Sequence, residues 1–386
     1  MAARRVRMVG AALLAAAAPS AAGGAAQQGE AAARPCPGRS GEGVPMARLG
    51  QSGPHLILDE NFPDPFVTRF GGTHHAYATG NQIGGGQMNV QLVRSRGLTG
   101  WSQPIEAFPA ANLPSWVDRR HPQVWAPEVM EIAGRYVLYF NARHATLTRT
   151  ERPPDGPRVM QRHCLGAAVA DRPEGPFLGT GEPLVCAEFG EGVIDASAFR
   201  DGDSLYLYYK DDGNCCGRGS AIYVQGLSAD GLAALGPPTR LIANNDSPEV
   251  HDDWEWLVVE APTMVRRGRD YYLFYTGNFF GNKNYSVAYL RCASPRGPCT
   301  DLGENPILWS HPETSLVGPG HQSVLERRGR TYVFFHGWNE DPDARERPGV
   351  HKRCLYVSRV HWERLPATGE VRPRIAGGEP TADPAD

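Results

Sequence analysis

Three carboxylates, Asp64, Asp195 and Glu260, stand at corresponding places in a phrase that the sequence repeats five times. The copies read DPFVTRFGGTHHAYAT, APEVMEIAGRYVLYF, DASAFRDGDSLYLYYK, EAPTMVRRGRDYYLFYT and HQSVLERRGRTYVFFH. Each has a lead residue, a strand, a glycine turn and an aromatic-rich returning strand. The turn glycines Gly71, Gly134, Gly202, Gly268 and Gly329 recur about 60–70 residues apart, the mark of one supersecondary unit copied around an axis. Seven or eight positions before them lie Asp64, Ala126, Asp195, Glu260 and His321. Rotational repetition brings equivalent positions together, so the three carboxylates should share one polar funnel. Two carboxyl groups facing each other there can hydrolyse a glycosidic bond. The ionised one takes a proton from water, and the protonated one gives a proton to the leaving oxygen. A third carboxylate beside the acid raises its pKa by like-charge repulsion.

The elements that must position these groups are short strands. Within each copy the apolar positions alternate with period two, and β-branched and aromatic runs flank the glycine turn, which is a hairpin signature. A repeat of this length has room for four strands, one propeller blade, and five blades close a ring without long exposed edges. The expected fold is all-β, a five-bladed β-propeller whose first strands line a central channel. A sandwich or a pair of barrels would not account for five copies in register. The 45 Gly and 33 Pro among 386 residues suit many short strands joined by turns.

The formal net charge is −3, and Lys/Arg cluster only at the extreme N-terminus, which argues against nucleic acid and membrane surfaces as partners. Arg4, Arg5 and Arg7 precede the apolar run Val9–Ala18 and the small residues Ser20, Ala21 and Ala22, so residues 1–26 read as a signal peptide. That run is too short to span a bilayer as a mature helix. Residues 27–50 read as a disordered lead-in, 51–370 as the catalytic propeller and 371–386 as a polar tail. The expectation is a secreted monomer, extracellular or periplasmic. Eight cysteines agree with an oxidising compartment. Cys164 and Cys186 should pair across a hairpin, and Cys292 and Cys299 should close a small loop. The sequence leaves the pairing of Cys36, Cys215, Cys216 and Cys354 open. Zinc is the competing reading, but paired CxxC motifs and histidines at ligand spacing are missing.

The segments NFPDPFV (61–67), VWAPEV (124–129), GVIDAS (192–197), VEAPTM (259–264) and GPGHQSV (318–324) resemble those of family-43 glycoside hydrolases. The resemblance runs from Asn61 to Trp362. It implies a five-bladed propeller hydrolysing arabinan, arabinoxylan or xylo-oligosaccharides with inversion. It also implies that Asp64 is the general base, Glu260 the general acid, and Asp195 the residue that orients the acid and tunes its pKa. By the same resemblance Trp125 lies near the sugar and Arg353 reaches the funnel. His321 is similar to an axial histidine that in several arabinan-cleaving members helps hold calcium or another ion at the channel centre. The third lead reads IDAS where many members have IDPS, which leaves Asp195 in place. Segments such as DDGNCCGRGSAIYVQGLS look closest to arabinofuranosidase- and arabinanase-like members. The implied substrate is therefore an α-L-arabinofuranosyl linkage in plant cell-wall polysaccharide, with a β-xylosidase as the alternative. Acid–base hydrolysis requires no organic cofactor. A non-catalytic sugar-binding propeller should repeat its binding residues in every blade, whereas here the lead residues differ.

Overall fold

The computed structural model describes residues 34–377 apart from 84–85, 152–155, 187–188, 245–252, 311–314, 342–350 and 367. The signal segment 1–26 lies outside the described residues. The described chain is built from strands and three short 3-10 turns, and no described helix is long and apolar enough to cross a membrane. Five sheets form the blades of a five-bladed β-propeller. Blade 1 is Phe66–Phe70, Thr73–Thr79, Val90–Ser95 and Ile105–Glu106. Blade 2 is Trp125–Ile132, Arg135–Glu151, Arg158–Ala170 and Leu178–Gly179. Blade 3 is Val193–Asp201, Ser204–Asp211, Ala221–Leu227 and Ala234–Ala243. Blade 4 is Val259–Arg267, Asp270–Gly277, Ser286–Cys292 and Cys299–Thr300.

Blade 5 closes the ring. Its strands Gly320–Arg327, Arg330–Trp338 and Arg353–Arg364 are completed by the N-terminal strand His55–Leu58, which runs antiparallel to the last of them. Segments from near the two ends of the described chain thus share one sheet, and the Cys36–Cys354 disulfide fastens them. The expected disordered lead-in is corrected here over residues 34–50. Arg39–Ser40 pairs in parallel with the closing strand, and Leu49 is fully buried. Gly50 has φ +68°, and a Cβ there would meet the Ser358 backbone at 2.7 Å, so this segment is pressed onto blade 5. The polar tail likewise begins with a strand, Val371–Ile375, paired to the blade. Closure needs strands from both ends, and neither piece carries enough apolar period to announce itself.

Five hydrophobic cores lie in the five gaps between neighbouring blades. They are rich in the aromatics of the returning strands, with Tyr77, Tyr139, Tyr209, Tyr272, Tyr275 and Tyr332 buried. The expected pairs Cys164–Cys186 and Cys292–Cys299 are present, and Cys215 is bonded to its neighbour Cys216.

Every inner hairpin turns over two residues: Gly71–Gly72, Ala133–Gly134, Gly202–Asp203, Gly268–Arg269 and Arg328–Gly329. The glycine is the first turn residue in blades 1, 3 and 4 and the second in blades 2 and 5. That difference explains the alternation between seven and eight and corrects the register of one lead residue. Aligned on the turn, the equivalent of Asp64, Ala126, Asp195 and His321 is Ala261, with Glu260 one position earlier. The backbone agrees, because these five residues share a left-handed conformation: Asp64 φ 55°, Ala126 45°, Asp195 60°, Ala261 50° and His321 51°.

Candidate active site

Five non-glycine residues in the left-handed region at one end of a channel are a concentration of strain, about 1–3 kcal/mol each, that surrounding bonds must offset. The offset comes from a second ring. Fifteen residues after each lead, on the returning strand, stand Thr79, Asn141, Lys210, Thr276 and His336. In four of the five blades this side chain accepts the backbone N–H of the next blade's lead residue. Ala126 donates to Thr79 Oγ1 (2.9 Å), Asp195 to Asn141 Oδ1 (3.4 Å), His321 to Thr276 Oγ1 (3.0 Å) and Asp64 to His336 Nδ1 (3.1 Å). Each bond holds a bent backbone and joins two blades.

Asp64 sits between blades 5 and 1. Its Oδ1 accepts from Arg353 Nη1 at 2.9 Å and lies 3.5 Å from His321 Nδ1, while Oδ2 accepts from the Thr79 hydroxyl at 2.6 Å. Burial by itself would push this carboxyl up. The Arg353 guanidinium, the His321 imidazole and the Thr79 hydroxyl outweigh it and hold Asp64 well below the usual carboxylate range. His336 accepts at Nδ1, so its proton is on Nε2, and burial keeps the ring neutral.

Asp195 and Glu260 meet between blades 3 and 4. Asp195 Oδ2 accepts the Ala261 N–H at 3.0 Å. Glu260 stands one residue before Ala261 at the same junction. There its Oε2 accepts from Lys210 Nζ (2.9 Å) and its Oε1 from the Tyr285 hydroxyl (2.6 Å). Burial raises Asp195 to about 6; the nearby Glu260 and Asp64 carboxylates add to the rise, against the opposing pull of His321 and Lys210. Burial alone would drive the proton off Lys210, yet Glu260, Asp212 and Asp195 hold it on and raise the pKa. Tyr285 stays protonated because burial and the neighbouring Glu260 both disfavour the phenolate. One funnel therefore holds an anion, Asp64, and a second buried carboxyl, Asp195, whose pKa is raised to about 6.

The structure brings all six sequence-predicted residues to this end of the propeller or its rim. Trp125, on the first strand of blade 2 beside Ala126, is half-buried and packs on His163 with ring centroids 4.0 Å apart. Arg353 lies on Asp64 beneath Phe280 and Trp338, 5.0 and 5.6 Å from their ring centres. Phe280 is 40% exposed and gives the rim an apolar face. Sequence reading missed Lys210, Tyr285, Thr79 and His336, although the constant offset of fifteen residues marks three of them. It also missed Glu128 in the channel wall, whose carboxyl burial pushes up to about 8.

Calcium takes six to eight oxygen ligands. Beside His321, Asp64 is engaged by Arg353 and Thr79, Gln322 Oε1 accepts from Thr276, and Glu128 keeps its proton. Among the described residues the one converging set of three donors is Cys36, Asp59 and Cys354, whose sulfurs form a disulfide. The residues present do not fit a protein-built calcium cage at the channel centre.

The profile of Glycosyl hydrolases family 43 matches residues 55–364. The chain is 28% identical over 279 residues to Xylosidase/arabinosidase 43A of Humicola insolens, covering 64% of this chain and 74% of the relative. It is 25% identical over 325 residues to Beta-D-galactofuranosidase xynD of Aspergillus niger, covering 81% and 82%. The crystal structure of a thermostable family-43 glycoside hydrolase superposes with a TM-score of 0.65 over 86% of this chain and 98% of that one, at 24% identity.

Proposed function

The chain belongs to glycosyl hydrolases family 43, and within that family of glycosidases we propose that it is a secreted enzyme cleaving α-L-arabinofuranosyl linkages in arabinan or arabinoxylan by inverting acid–base catalysis. The observation that carries this reading is the separation of charge within one funnel. Asp64 is kept anionic, while Asp195, beside Glu260, is raised to about 6 by burial. In the proposed cycle Asp64 draws a proton from water as that water attacks the anomeric carbon. Glu260 delivers its proton to the leaving glycosidic oxygen, and Asp195 keeps that proton available and orients the acid. Arg353 fixes the base, and Trp125 with the rim aromatics offers flat faces to sugar rings. The N-terminal segment and four disulfides support export. Of the two relatives above, the name of the first includes arabinosidase and that of the second galactofuranosidase, which favours an arabinose-type or furanose sugar in the pocket. The first of those names also says xylosidase, so a β-xylosidase is the second reading.

The test is sugar release by the purified mature protein from linear arabinan, arabinoxylan and xylo-oligosaccharides, with Glu260→Ala alongside. Arabinose released by wild type and not by the variant is the expected result. Xylose in its place moves the specificity to the second reading. No sugar from any of them, with retained binding, overturns the catalytic reading.

A further inference from the structure

The ring of side chains fifteen residues after the leads has one irregular member. Thr79, Asn141, Thr276 and His336 all offer an acceptor to the next blade. Blade 3 places Lys210 in that slot, and an ammonium has three donors and no acceptor. The consequence is visible in both neighbours. The Ala261 N–H, left without a slot acceptor, is taken by Asp195 Oδ2 (3.0 Å), and Lys210 Nζ reaches past it to Glu260 Oε2 (2.9 Å). Lys210 is fully buried, and the Asn214 side-chain oxygen steadies it at 2.8 Å from the turn Gly213–Cys216.

A buried ammonium is a costly way to close a blade junction, because desolvating it offsets most of what its ion pair gains. A threonine, as in blades 1 and 4, would serve the Ala261 N–H without any charge. Propeller closure therefore does not explain the lysine. The carboxylate it touches does. We propose that Lys210 is the positioning residue of the acid: it fixes the Glu260 carboxyl and stabilises the negative charge that grows there as the proton passes to the leaving oxygen. By vacating the acceptor slot it also turns Asp195 toward Ala261, so one side chain sets the geometry of both carboxyls. This rests on the reading of Glu260 as general acid. The proton lost by Glu260 goes to the glycosidic oxygen, and Lys210 itself exchanges none.

The experiment compares Lys210→Met, Lys210→Arg and Glu260→Gln with wild type. The substrates are 4-nitrophenyl α-L-arabinofuranoside, with an activated leaving group, and α-1,5-arabinobiose, without one (the matching xylosides if xylose is the sugar released). For Lys210→Met, kcat on the disaccharide should fall about 10–100-fold with KM little changed, the loss on the nitrophenyl glycoside being much smaller. The basic limb of the pH profile should move up by about one unit, because removing a cation beside a carboxyl favours its protonated form. Lys210→Arg, which keeps the charge, should leave that limb near its wild-type position. Equal losses on both substrates, or an unmoved limb, would overturn the proposal in favour of a structural ion pair. Should Lys210→Met not fold, Asn214→Asp decides. A second anion on Lys210 draws the ammonium from Glu260 and should move the same limb up, and an unmoved limb again overturns the proposal. Glu260→Gln keeps the two ideas apart. If it loses activity equally on both substrates, the acid assignment itself has failed; if it spares the activated one while Lys210→Met changes nothing, the inference about Lys210 alone has failed.

Discussion

Two blade junctions built from the same parts treat a carboxyl in opposite ways. At the junction of blades 5 and 1, Asp64 occupies a left-handed lead position, its N–H is received by His336, and Arg353 and Thr79 hold its oxygens. At the junction of blades 3 and 4 the corresponding lead is Ala261, whose N–H goes to Asp195, and the carboxyl has moved one residue back to Glu260. The first arrangement surrounds a carboxylate with cations and hydroxyl donors and keeps it ionised. The second buries two carboxyls together with one ammonium, so burial raises one of them to about 6. The backbone repeat supplies equivalent sites, and the partners fifteen residues on, with the one-residue displacement of Glu260, differentiate them into the proposed base and acid.

The largest effect should come from removing the anion at the first junction. Asp64→Asn is expected to lower kcat about 10³–10⁴-fold on activated and unactivated glycosides alike, since the attacking water loses its base in both cases. Steady-state kinetics on both substrates checks this. Next, Arg353→Met takes away the strongest cation on Asp64 and should cost about 10–100-fold in kcat. Asp64 must be ionised to act, so raising its pKa moves the acidic limb of the pH profile to higher pH; an unmoved limb would deny Arg353 this role.

The second junction makes a different forecast. The folded-state pKa of Asp195 is raised from 3.8 to about 6, so its ionisation costs stability above about pH 6, and that cost vanishes below about pH 4. Asp195→Asn should therefore lower activity while stabilising the fold at pH 7 by up to about 3 kcal/mol, a gain that disappears at pH 4. Urea melts at the two pH values measure it, and a variant less stable than wild type at pH 7 would contradict the burial argument. The smallest effect on activity belongs to the ring closure. Cys36→Ser with Cys354→Ser should leave kcat within about twofold and cost about 2–4 kcal/mol of stability, read as a Tm lower by several degrees.

Much of this was legible in the sequence, for identifiable reasons. The fold follows from the five glycine turns, because a two-residue hairpin needs positive φ and so writes glycine at one of its two turn positions in each blade. Asp64, Asp195 and His321 followed from the same count. For Glu260 the count gives a register one residue off: the glycine alternates between the two turn positions, which hides the fact that Ala261 holds the lead slot. Lys210 lay unread in the run LYLYYK, where it looks like a polar end to an aromatic strand, and only its burial against Glu260 shows otherwise. Residues 34–50 carry no local sign of order, because closure by a short strand and a disulfide requires a partner some three hundred residues away. Arg353 was recognised from its surroundings in HKRCLYVSRVHW, while its contact with Asp64 depends on the ring being closed.

The central claim is that the two junctions divide the work of base and acid, and the dependence on leaving group tests it most directly. Single-turnover rates of Asp64→Asn and Glu260→Gln would be measured on 4-nitrophenyl α-L-arabinofuranoside and on α-1,5-arabinobiose, or on the xylosides if those are the sugars released. The account predicts that Glu260→Gln is nearly inert on the disaccharide yet keeps a substantial rate on the nitrophenyl glycoside, while Asp64→Asn is inert on both. The reverse pattern, or identical losses for the two variants on both substrates, would contradict it.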